Sequence, residues 1–275
     1  MQYQLFTSER YELFCLGSGS CGNSYYLGNS TGGILIDAGI GPRLTKKRLA
    51  ENGIDLAQIQ AVLITHDHFD HIKSVGFFTE KMFLPIYTTR EVHRGIRNCP
   101  LIHSRLDNSI CKYVEKGKMF KLLGLKITPF EVPHDSTDNV GYSIEFDNHR
   151  LVIATDVGII TDEMAYHFQR AHHLIIESNY DEEMLRIGNY PYQLKRRITS
   201  GHGHLSNRQT AEYLSNNFSS NWRNICLCHL SGDNNNPEVA YQTTQQMLSA
   251  KGIEIGRDIE LHIFKRNVLS TKIIF

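Results

Sequence analysis

The stretch that decides the fold is Thr65–His71, with the sequence THDHFDH, which follows the apolar run Ala61–Ile64. A short apolar run bounded by polar residues predicts a buried strand that ends in a loop. The loop carries three imidazoles and two carboxylates, and so many polar donors are costly to desolvate unless something binds them. Neutral imidazole and carboxylate suit Zn, Mn and Fe. The stretch therefore predicts a metal site at a strand end.

The spacing within this stretch favours two ions over one. On an extended segment His66 and His68 point to the same side and can share an ion. If the chain then turns into a helix, Asp70 and His71 point in another direction and can serve a second ion. The alternative, which we disfavour, is a surface histidine-rich loop that binds metal only adventitiously.

Other apolar runs in the chain also end in a candidate ligand or bracing residue. A chance collection of histidines and acidic residues would not fall so regularly at strand ends. These runs end at Asp37, His134, Asp156, Glu177 and His229.

A helix is predicted shortly after His204. Ser206 and Gln209 have capping-box spacing, and Ala211, Leu214 and Phe218 form an apolar stripe behind them. His204 would therefore stand just before a helix N-terminus, where anions are favoured.

Composition indicates a soluble globular protein organised as one domain. The 275 residues include 29 Lys+Arg and 29 Asp+Glu, so the net charge is zero. Neutrality argues against a protein that coats nucleic acid nonspecifically, although it leaves room for a local basic groove. The 14 histidines fit a metal enzyme. We find no linker, low-complexity tract or repeat, and we expect a single domain over residues 1–275.

The cysteines predict a reducing, cytoplasmic location. None of the six belongs to a CxxC pair, and their spacing is not that of a disulfide framework. We see no signal peptide and no apolar stretch near the ~20 residues of a membrane span, so we expect no membrane partner. For Cys226 and Cys228, alternation in a strand is favoured over a soft-metal site.

Three local patterns add further expectations. The Gly/Ser-rich segment 17–24 is either a turn or a loop whose backbone approaches an anion. A helix should begin at Pro42 and end at Gly53. In that helical segment we expect an apolar side formed by Leu44, Leu49 and Ile54, and a solvated side formed by Lys46, Lys47 and Arg48.

His93 and His103 have no other donor near them in sequence, and we interpret both as ordinary surface or half-buried histidines.

The pattern His66-x-His68-x-Asp70-His71 after an apolar strand resembles the signature of the metallo-β-lactamase superfamily. Over nearly the whole chain the combined motifs most resemble the YycJ/WalJ-type proteins. These motifs are GSGSCGNS at 17–24, ESNYD at 177–181, GHLSN at 203–207 and HLS at 229–231. The resemblance implies an α/β fold, a four-layer αββα sandwich with the metals at one edge.

The resemblance also implies a ligand set for two divalent ions. One ion would take His66, His68, His134 and Asp156, and the other would take Asp70, His71, Asp156 and His229. Asp37 would brace the metal loop without binding metal. No cysteine replaces Asp156, which argues against the β-lactam-hydrolysing branch. Metal identity stays open between Zn²⁺ and Mn²⁺, because nitrogen and oxygen ligands fit both.

The implied activity is phosphodiester hydrolysis. Glu177 and His204 resemble the Glu–His pair of the tRNA 3′-processing nucleases, and Asp67 is expected to orient or deprotonate the attacking water. The expected substrate is nucleic acid, DNA rather than RNA, cleaved as by a 5′–3′ exonuclease. Alternatives are a small-molecule or cyclic-phosphate phosphodiesterase and an RNA-processing nuclease. The expected substrate-binding residues are Ser18, Ser20, Asn23, Ser206 and Ser231.

Overall fold

Two seven-stranded sheets form the centre of the fold in the computed structural model, which describes residues 10–102 and 106–275. The first sheet has the spatial order β14-β1-β2-β3-β4-β5-β6. Its strands are β1 (Glu12–Gly17), β2 (Ser24–Asn29), β3 (Gly32–Ile36), β4 (Ile59–Leu63), β5 (Ile86–Thr88), β6 (Cys111–Tyr113) and β14 (Ile273–Ile274).

The second sheet has the order β13-β12-β11-β10-β9-β8-β7. Its strands are β7 (Phe120–Leu122), β8 (Leu125–Glu131), β9 (Val140–Phe146), β10 (His149–Ala154), β11 (His173–Glu177), β12 (Asn224–Cys228) and β13 (Glu260–Ile263). In each sheet an antiparallel part is followed by four parallel strands, β3 to β6 and β10 to β13.

Helices flank the two sheets, most of them on the outer faces. They are α1 (Pro42–Glu51), α2 (Phe69–Ile72), α3 (Val75–Glu80), α4 (Arg90–Asn98), α5 (Asp162–Gln169), α6 (Glu182–Ile187), α7 (Tyr192–Ile198), α8 (Asn207–Asn216) and α9 (Pro237–Ser249). None of the helices in residues 10–102 and 106–275 has the length and apolar content needed to cross a membrane.

Three apolar clusters separate the layers. One lies between the sheets and includes Leu63, Tyr142 and Cys228. A second packs α1, α3 and α4 on the outer face of the first sheet, and a third packs α5, α8 and α9 on the outer face of the second. The predicted αββα sandwich is confirmed. Cys226 and Cys228 both point into the cluster between the sheets.

Strand direction brings the ligand-bearing loops together. Strands β3 and β4 are parallel, as are β10, β11 and β12, so within each sheet their carboxyl ends meet at one edge. Strand β8 is antiparallel to β9, which is antiparallel to β10, so β8 ends at the same edge as β10. The loops that follow these strands carry all the predicted metal ligands.

Helix α1 departs from the expectation at two positions. It begins at Pro42 as predicted, and Leu49 is buried, but Leu44 is 37% exposed. Arg48, expected in solvent, is buried and donates hydrogen bonds to the carbonyl oxygens of Leu16 and Asn267. The charge run therefore includes one structural arginine. The surface or half-buried position expected for His93 is wrong, because it is fully buried in α4 with Nε2 3.4 Å from the carbonyl oxygen of Lys112 in β6. His103 lies outside the described residues.

Candidate metal centre

Three strand-end residues of the site have left-handed backbone conformations. Asp37 directly follows β3, Asp156 follows β10 by two residues, and His229 directly follows β12; their φ angles are 61°, 57° and 56°. Such conformations cost of order 1–3 kcal/mol each and persist only where the surroundings impose them. The chain thus turns sharply at three strand ends so that the side chains enter one cluster.

The first donor group consists of four predicted ligands. One ligand atom from each of His66, His68, His134 and Asp156 lies within 4.8 Å of the others. Nδ1 of His134 lies 3.0 Å from the carbonyl oxygen of Gly203. Because a carbonyl can only accept, Nδ1 carries the proton and Nε2 keeps its lone pair for the cluster. Burial lowers the pKa of His66 well below its usual range, which keeps this imidazole in the neutral, metal-binding form.

The second donor group consists of Asp70, His71 and His229, also within 4.8 Å of one another. Nδ1 of His71 lies 2.7 Å from Oδ2 of Asp37. Asp37 is fully buried and also accepts a hydrogen bond from the Thr65 N–H at 2.8 Å. Its carboxylate therefore contacts both a predicted ligand ring and the loop that carries that ring, which orients the ligand.

Asp156 lies between the two groups. Its Oδ2 is 3.2 Å from Nε2 of His71, and its Oδ1 is 3.7 Å from Nε2 of His134. Burial would raise the pKa of the Asp156 carboxyl, but His229, His71 and His66 outweigh burial and hold that pKa well below its usual range. The carboxylate is therefore ionised and lies close to both groups, with Oδ1 also 3.5 Å from Nδ1 of His229.

Glu177 connects a ligand of the second group to a further histidine. Its Oε1 lies 2.9 Å from Nδ1 of His204 and 2.7 Å from Nδ1 of His229. Its Oε2 accepts hydrogen bonds from the N–H groups of Val157 at 2.9 Å and Leu205 at 3.1 Å. The donor atoms of Glu177, His204, His229 and Asp156 also cluster within 4.8 Å. Because both oxygens of Glu177 already accept hydrogen bonds, we interpret it as an orienting group.

His204 borders a cavity of about 280 Å³ that the two donor groups also line. Since Nδ1 of His204 contacts Glu177, its Nε2 is the nitrogen left to face the cavity. Burial would lower the pKa of His204, but the Glu177 and Asp156 carboxylates outweigh burial and raise it. The helix predicted behind His204 is α8, and its N-cap Ser206 forms the predicted capping box with Gln209.

The structure does not bring Asp67 to this cavity. Its carboxylate accepts hydrogen bonds from the N–H (3.1 Å) and the hydroxyl of Thr137. It faces α4, where a Cβ in place of the Gly95 hydrogen would overlap it. The expectation that Asp67 acts on the attacking water is therefore corrected. Asp67 stands between His66 and His68 in sequence, but its side chain connects the loop after β8 to the loop after β4.

The expected substrate-binding residues divide into two sets. Ser20 and Ser231 line the cavity. The other three are buried and have internal partners, which corrects the expectation for them. Ser18 accepts a hydrogen bond from the His229 N–H at 2.7 Å, and Asn23 donates to Asp70 at 3.1 Å. Ser206 caps α8 and donates to Glu182 at 3.0 Å.

Sequence reasoning missed several residues that line the cavity. Asp135 follows His134 directly, and its carboxylate accepts a hydrogen bond from Arg197 at the rim. Tyr190 also lines the cavity, and its hydroxyl lies 2.8 Å from Asp233. Asn179 donates to the carbonyl oxygen of His229 at 2.8 Å. Arg197 was not missed: it belongs to the basic run Lys195–Arg197 in α7, a pattern that fits contact with a nucleic-acid backbone or a solvated charged face equally well.

The donor groups fit divalent metal ions on an observation independent of any resemblance. Nε2 of His66, in the first group, and Nε2 of His229, in the second, are buried and have no hydrogen-bond partner among residues 10–102 and 106–275. An unpartnered buried polar atom is costly, and these two are imidazole nitrogens beside carboxylates. Each donor group thus contains one nitrogen that a metal ion would satisfy.

Comparisons with known proteins agree with this fold. A family model described as a beta-lactamase superfamily domain matches residues 33–217. The chain is 32% identical over 247 residues to Exodeoxyribonuclease YycJ of Bacillus anthracis, covering 90% of this chain and 92% of that protein. It is 34% identical over 247 residues to Exodeoxyribonuclease WalJ of Streptococcus pneumoniae, covering 90% and 91%. The crystal structure of the metallo-β-lactamase fold protein YhfI from Bacillus subtilis aligns with a TM-score of 0.69 at 17% identity, covering 95% and 99%.

Proposed function

The chain belongs to the metallo-β-lactamase superfamily of hydrolases and, within it, to the family of YycJ- and WalJ-like proteins, and from this premise we propose that it is a metal-dependent nuclease that hydrolyses the phosphodiester bonds of DNA. The observation that carries the proposal is the arrangement of two donor groups around Asp156, with the Glu177–His204 pair beside them.

The proposed cofactor is a pair of divalent ions, Zn²⁺ or Mn²⁺. His66, His68, His134 and Asp156 would hold one ion, and Asp70, His71, Asp156 and His229 would hold the other. When bound, such ions lower the pKa of a water molecule and neutralise negative charge on the phosphate. The carboxylate of Asp156 lies 3.2 Å from Nε2 of His71 in one group and 3.7 Å from Nε2 of His134 in the other, and this supports a shared ligand.

His204 is the proposed general acid. Glu177 accepts a hydrogen bond from Nδ1–H of His204. This contact holds the ring in one orientation, with Nε2 toward the cavity. Burial lowers the pKa of His204, but the Glu177 and Asp156 carboxylates outweigh burial and raise that pKa, which favours the protonated ring. From this position His204 would donate a proton to the leaving oxygen of the cleaved phosphodiester.

The rim residues of the cavity supply the proposed phosphate contacts. Arg197 brings a guanidinium to the rim, and the hydroxyls of Ser20 and Ser231 line the same cavity. Arginine and hydroxyl groups are common phosphate ligands in nucleic-acid complexes. These contacts would position the strand without reading its sequence.

We propose that cleavage proceeds from strand ends in the 5′ to 3′ direction. The exonuclease assignment is supported by the printed names of two relatives, YycJ and WalJ, which both read exodeoxyribonuclease. The direction rests on the resemblance to the YycJ/WalJ type.

A small-molecule or cyclic-phosphate phosphodiesterase is the second candidate. The catalytic cavity of about 280 Å³ is small, and the 29 basic residues are balanced by 29 acidic ones. Both observations suit a compact diester. The Glu177–His204 pair also suits an RNA-processing nuclease, since the same chemistry serves a ribose backbone.

A digestion panel separates these candidates. Metal-freed protein is supplied with Zn²⁺ or Mn²⁺ and given single- and double-stranded DNA labelled at the 5′ or the 3′ end, RNA, and cyclic dinucleotides. We expect mononucleotide release from the labelled 5′ end of DNA. Faster turnover of cyclic dinucleotides or RNA than of DNA would contradict the proposed substrate, and release from the 3′ label first would contradict the direction.

A further inference from the structure

Helix α7 separates the catalytic cavity from a second, larger cavity of about 810 Å³. Leu194, Arg197 and Ile198 line the catalytic cavity, whereas Tyr192, Lys195 and Arg196 line the outer one. Tyr190, which precedes α7, lines both. The two cavities are therefore neighbours with a shared rim.

The outer cavity has an exposed aromatic platform. Tyr192 is 73% exposed, and the Arg196 guanidinium lies 5.9 Å from the centroid of its ring. Tyr190 adds aromatic surface, and Tyr180 and Leu185, which are only 5% and 3% exposed, line the cavity from beneath. Flat apolar surface beside an arginine fits the face of a nucleobase, which stacks on both aromatic rings and guanidinium planes.

Two of the three cations that line this cavity, Lys195 and Arg196, are available to an anion, whereas Arg186 pairs with Glu183. Within the described part of the chain, neither Lys195 nor Arg196 has a carboxylate at ion-pair distance; Lys195 donates to the carbonyl oxygen of Arg186. The one carboxylate in the lining, Glu182, already accepts a hydrogen bond from Ser206. In a chain with no net charge, this is a local cationic surface next to the proposed catalytic centre.

We infer that the outer cavity is a subsite for single-stranded DNA. It would hold the base of a nucleotide next to the cleaved bond on the Tyr192–Arg196 platform, while Lys195 and Arg196 meet the backbone phosphates. This inference rests on the proposed function. Because every base has a stacking face, such a subsite accepts any sequence, as removal of successive nucleotides requires.

The test compares substrates that reach the outer cavity with one that cannot. Tyr192→Ala and Arg196→Gln are assayed with oligodeoxynucleotides of increasing length and with a nitrophenyl phosphodiester, which occupies the catalytic cavity alone. Loss of a base stack should raise the KM for longer oligonucleotides by about 10-fold or more, with kcat nearly unchanged. The nitrophenyl diester should be turned over as by the wild type.

A matched pair elsewhere provides the control. On α5, Tyr166 is 56% exposed and the Arg170 guanidinium lies 4.6 Å from its ring centroid, and neither lines the catalytic or the outer cavity. Tyr166→Ala should leave the KM for every substrate unchanged. If it raises the KM as much as Tyr192→Ala does, the effect is not specific to the subsite and the inference is wrong.

Two outcomes separate this inference from the proposed function. If the wild type cleaves oligonucleotides and both outer-cavity variants keep the wild-type KM, the subsite is wrong and the nuclease stands. If the wild type hydrolyses the nitrophenyl diester but no oligonucleotide with either metal, the proposed function and the subsite fail together. An equal loss on both substrates would show general damage and would also overturn the subsite.

Discussion

Oε1 of Glu177 lies 2.7 Å from Nδ1 of His229. The same oxygen lies 2.9 Å from Nδ1 of His204, while Oε2 accepts two backbone N–H groups. One buried carboxylate therefore orients a proposed metal ligand and a proposed proton donor together. Burial would raise its pKa, but the two histidines outweigh burial and lower it, so the carboxylate stays ionised.

The first prediction concerns this shared carboxylate. Glu177→Gln should lower metal affinity at the second donor group by about 10–100-fold, because residues that orient a ligand have effects of that size. The NH₂ group of the substituted side chain must replace one of the two carboxylate oxygens, and each of those oxygens accepts hydrogen bonds from two donors. The NH₂ group would therefore face donors in either orientation and could not accept from them. Turnover should fall with metal content, measured by elemental analysis and by the nitrophenyl assay.

The control for Glu177 is Glu182→Gln, a change in α6 at a carboxylate whose partner is the Ser206 hydroxyl. It should leave metal content and nitrophenyl turnover at wild-type values. Normal metal content in Glu177→Gln would contradict the orienting role.

The second prediction concerns His204. His204→Ala should keep both ions, because neither proposed ligand set needs this residue, yet lose about 10²–10⁴ in kcat on DNA. A nitrophenyl phosphodiester should lose much less, since its leaving group needs no proton. His202→Ala, an exposed change two residues away, serves as control and should behave as the wild type. Equal losses on both substrates would mean that His204 binds phosphate and does not donate a proton.

The third prediction concerns Asp67. Asp67→Asn should keep turnover within a few-fold of the wild type, because its carboxylate is bonded to Thr137 outside the cavity. The free energy of unfolding should fall by about 1 kcal/mol, the usual size of a hydrogen-bond contribution. In chemical denaturation, Thr137→Val should lower the free energy of unfolding by a similar amount. The double variant should lower it by little more than either single variant. A loss of turnover beyond 100-fold with normal metal content would restore the catalytic interpretation of Asp67.

The fourth prediction concerns stability in acid. His173 is buried beside His149, His172, His262 and Arg223, and burial followed by these positive neighbours lowers its pKa to about 3. In the unfolded chain its pKa is about 6.5. The unfolded state therefore binds the proton more readily. The contribution of His173 to the free energy of unfolding is fully present above pH ~6.5 and is lost as the pH falls toward the pKa of His173 in the folded state.

The measurement is the free energy of unfolding at several pH values between 7 and 5. His173→Gln should reduce the slope of the free energy of unfolding against pH by up to about 1.4 kcal/mol per pH unit, which is the limit for one proton. An exposed change, His202→Gln, should leave the slope as in the wild type. A slope in His173→Gln equal to that of the wild type would show that His173 does not titrate as its burial requires.

The architecture was predictable because the ligands follow strand ends. Apolar runs ending at Asp37, Asp156 and His229 marked buried strands, and parallel pairing then gathers their carboxyl ends at one edge. The capping box at Ser206 and Gln209 similarly located the helix behind His204. In these cases the signal is local in sequence.

Side-chain direction was not predictable where distant segments decide it. Asp67 lies in the metal loop, but its carboxylate accepts a hydrogen bond from the Thr137 N–H and occupies the space left by the missing side chain of Gly95. It therefore points away from the cavity. Arg48 lies in a charge run, yet carbonyl oxygens from two distant segments accept its guanidinium. Ser18 lies in an exposed-looking Gly/Ser segment, yet its hydroxyl accepts the backbone N–H of His229. Each partner lies far away in sequence.

The central claim is that this chain cleaves DNA with two metal ions held around Asp156. Its most direct test is a titration of metal-freed protein with Mn²⁺ or Zn²⁺, at protein concentrations above the dissociation constant, while cleavage of end-labelled single-stranded DNA is followed. We expect no cleavage without metal and a rise to a plateau at two equivalents of metal per chain. A plateau at one equivalent, or no cleavage of DNA at any metal concentration, would contradict the account.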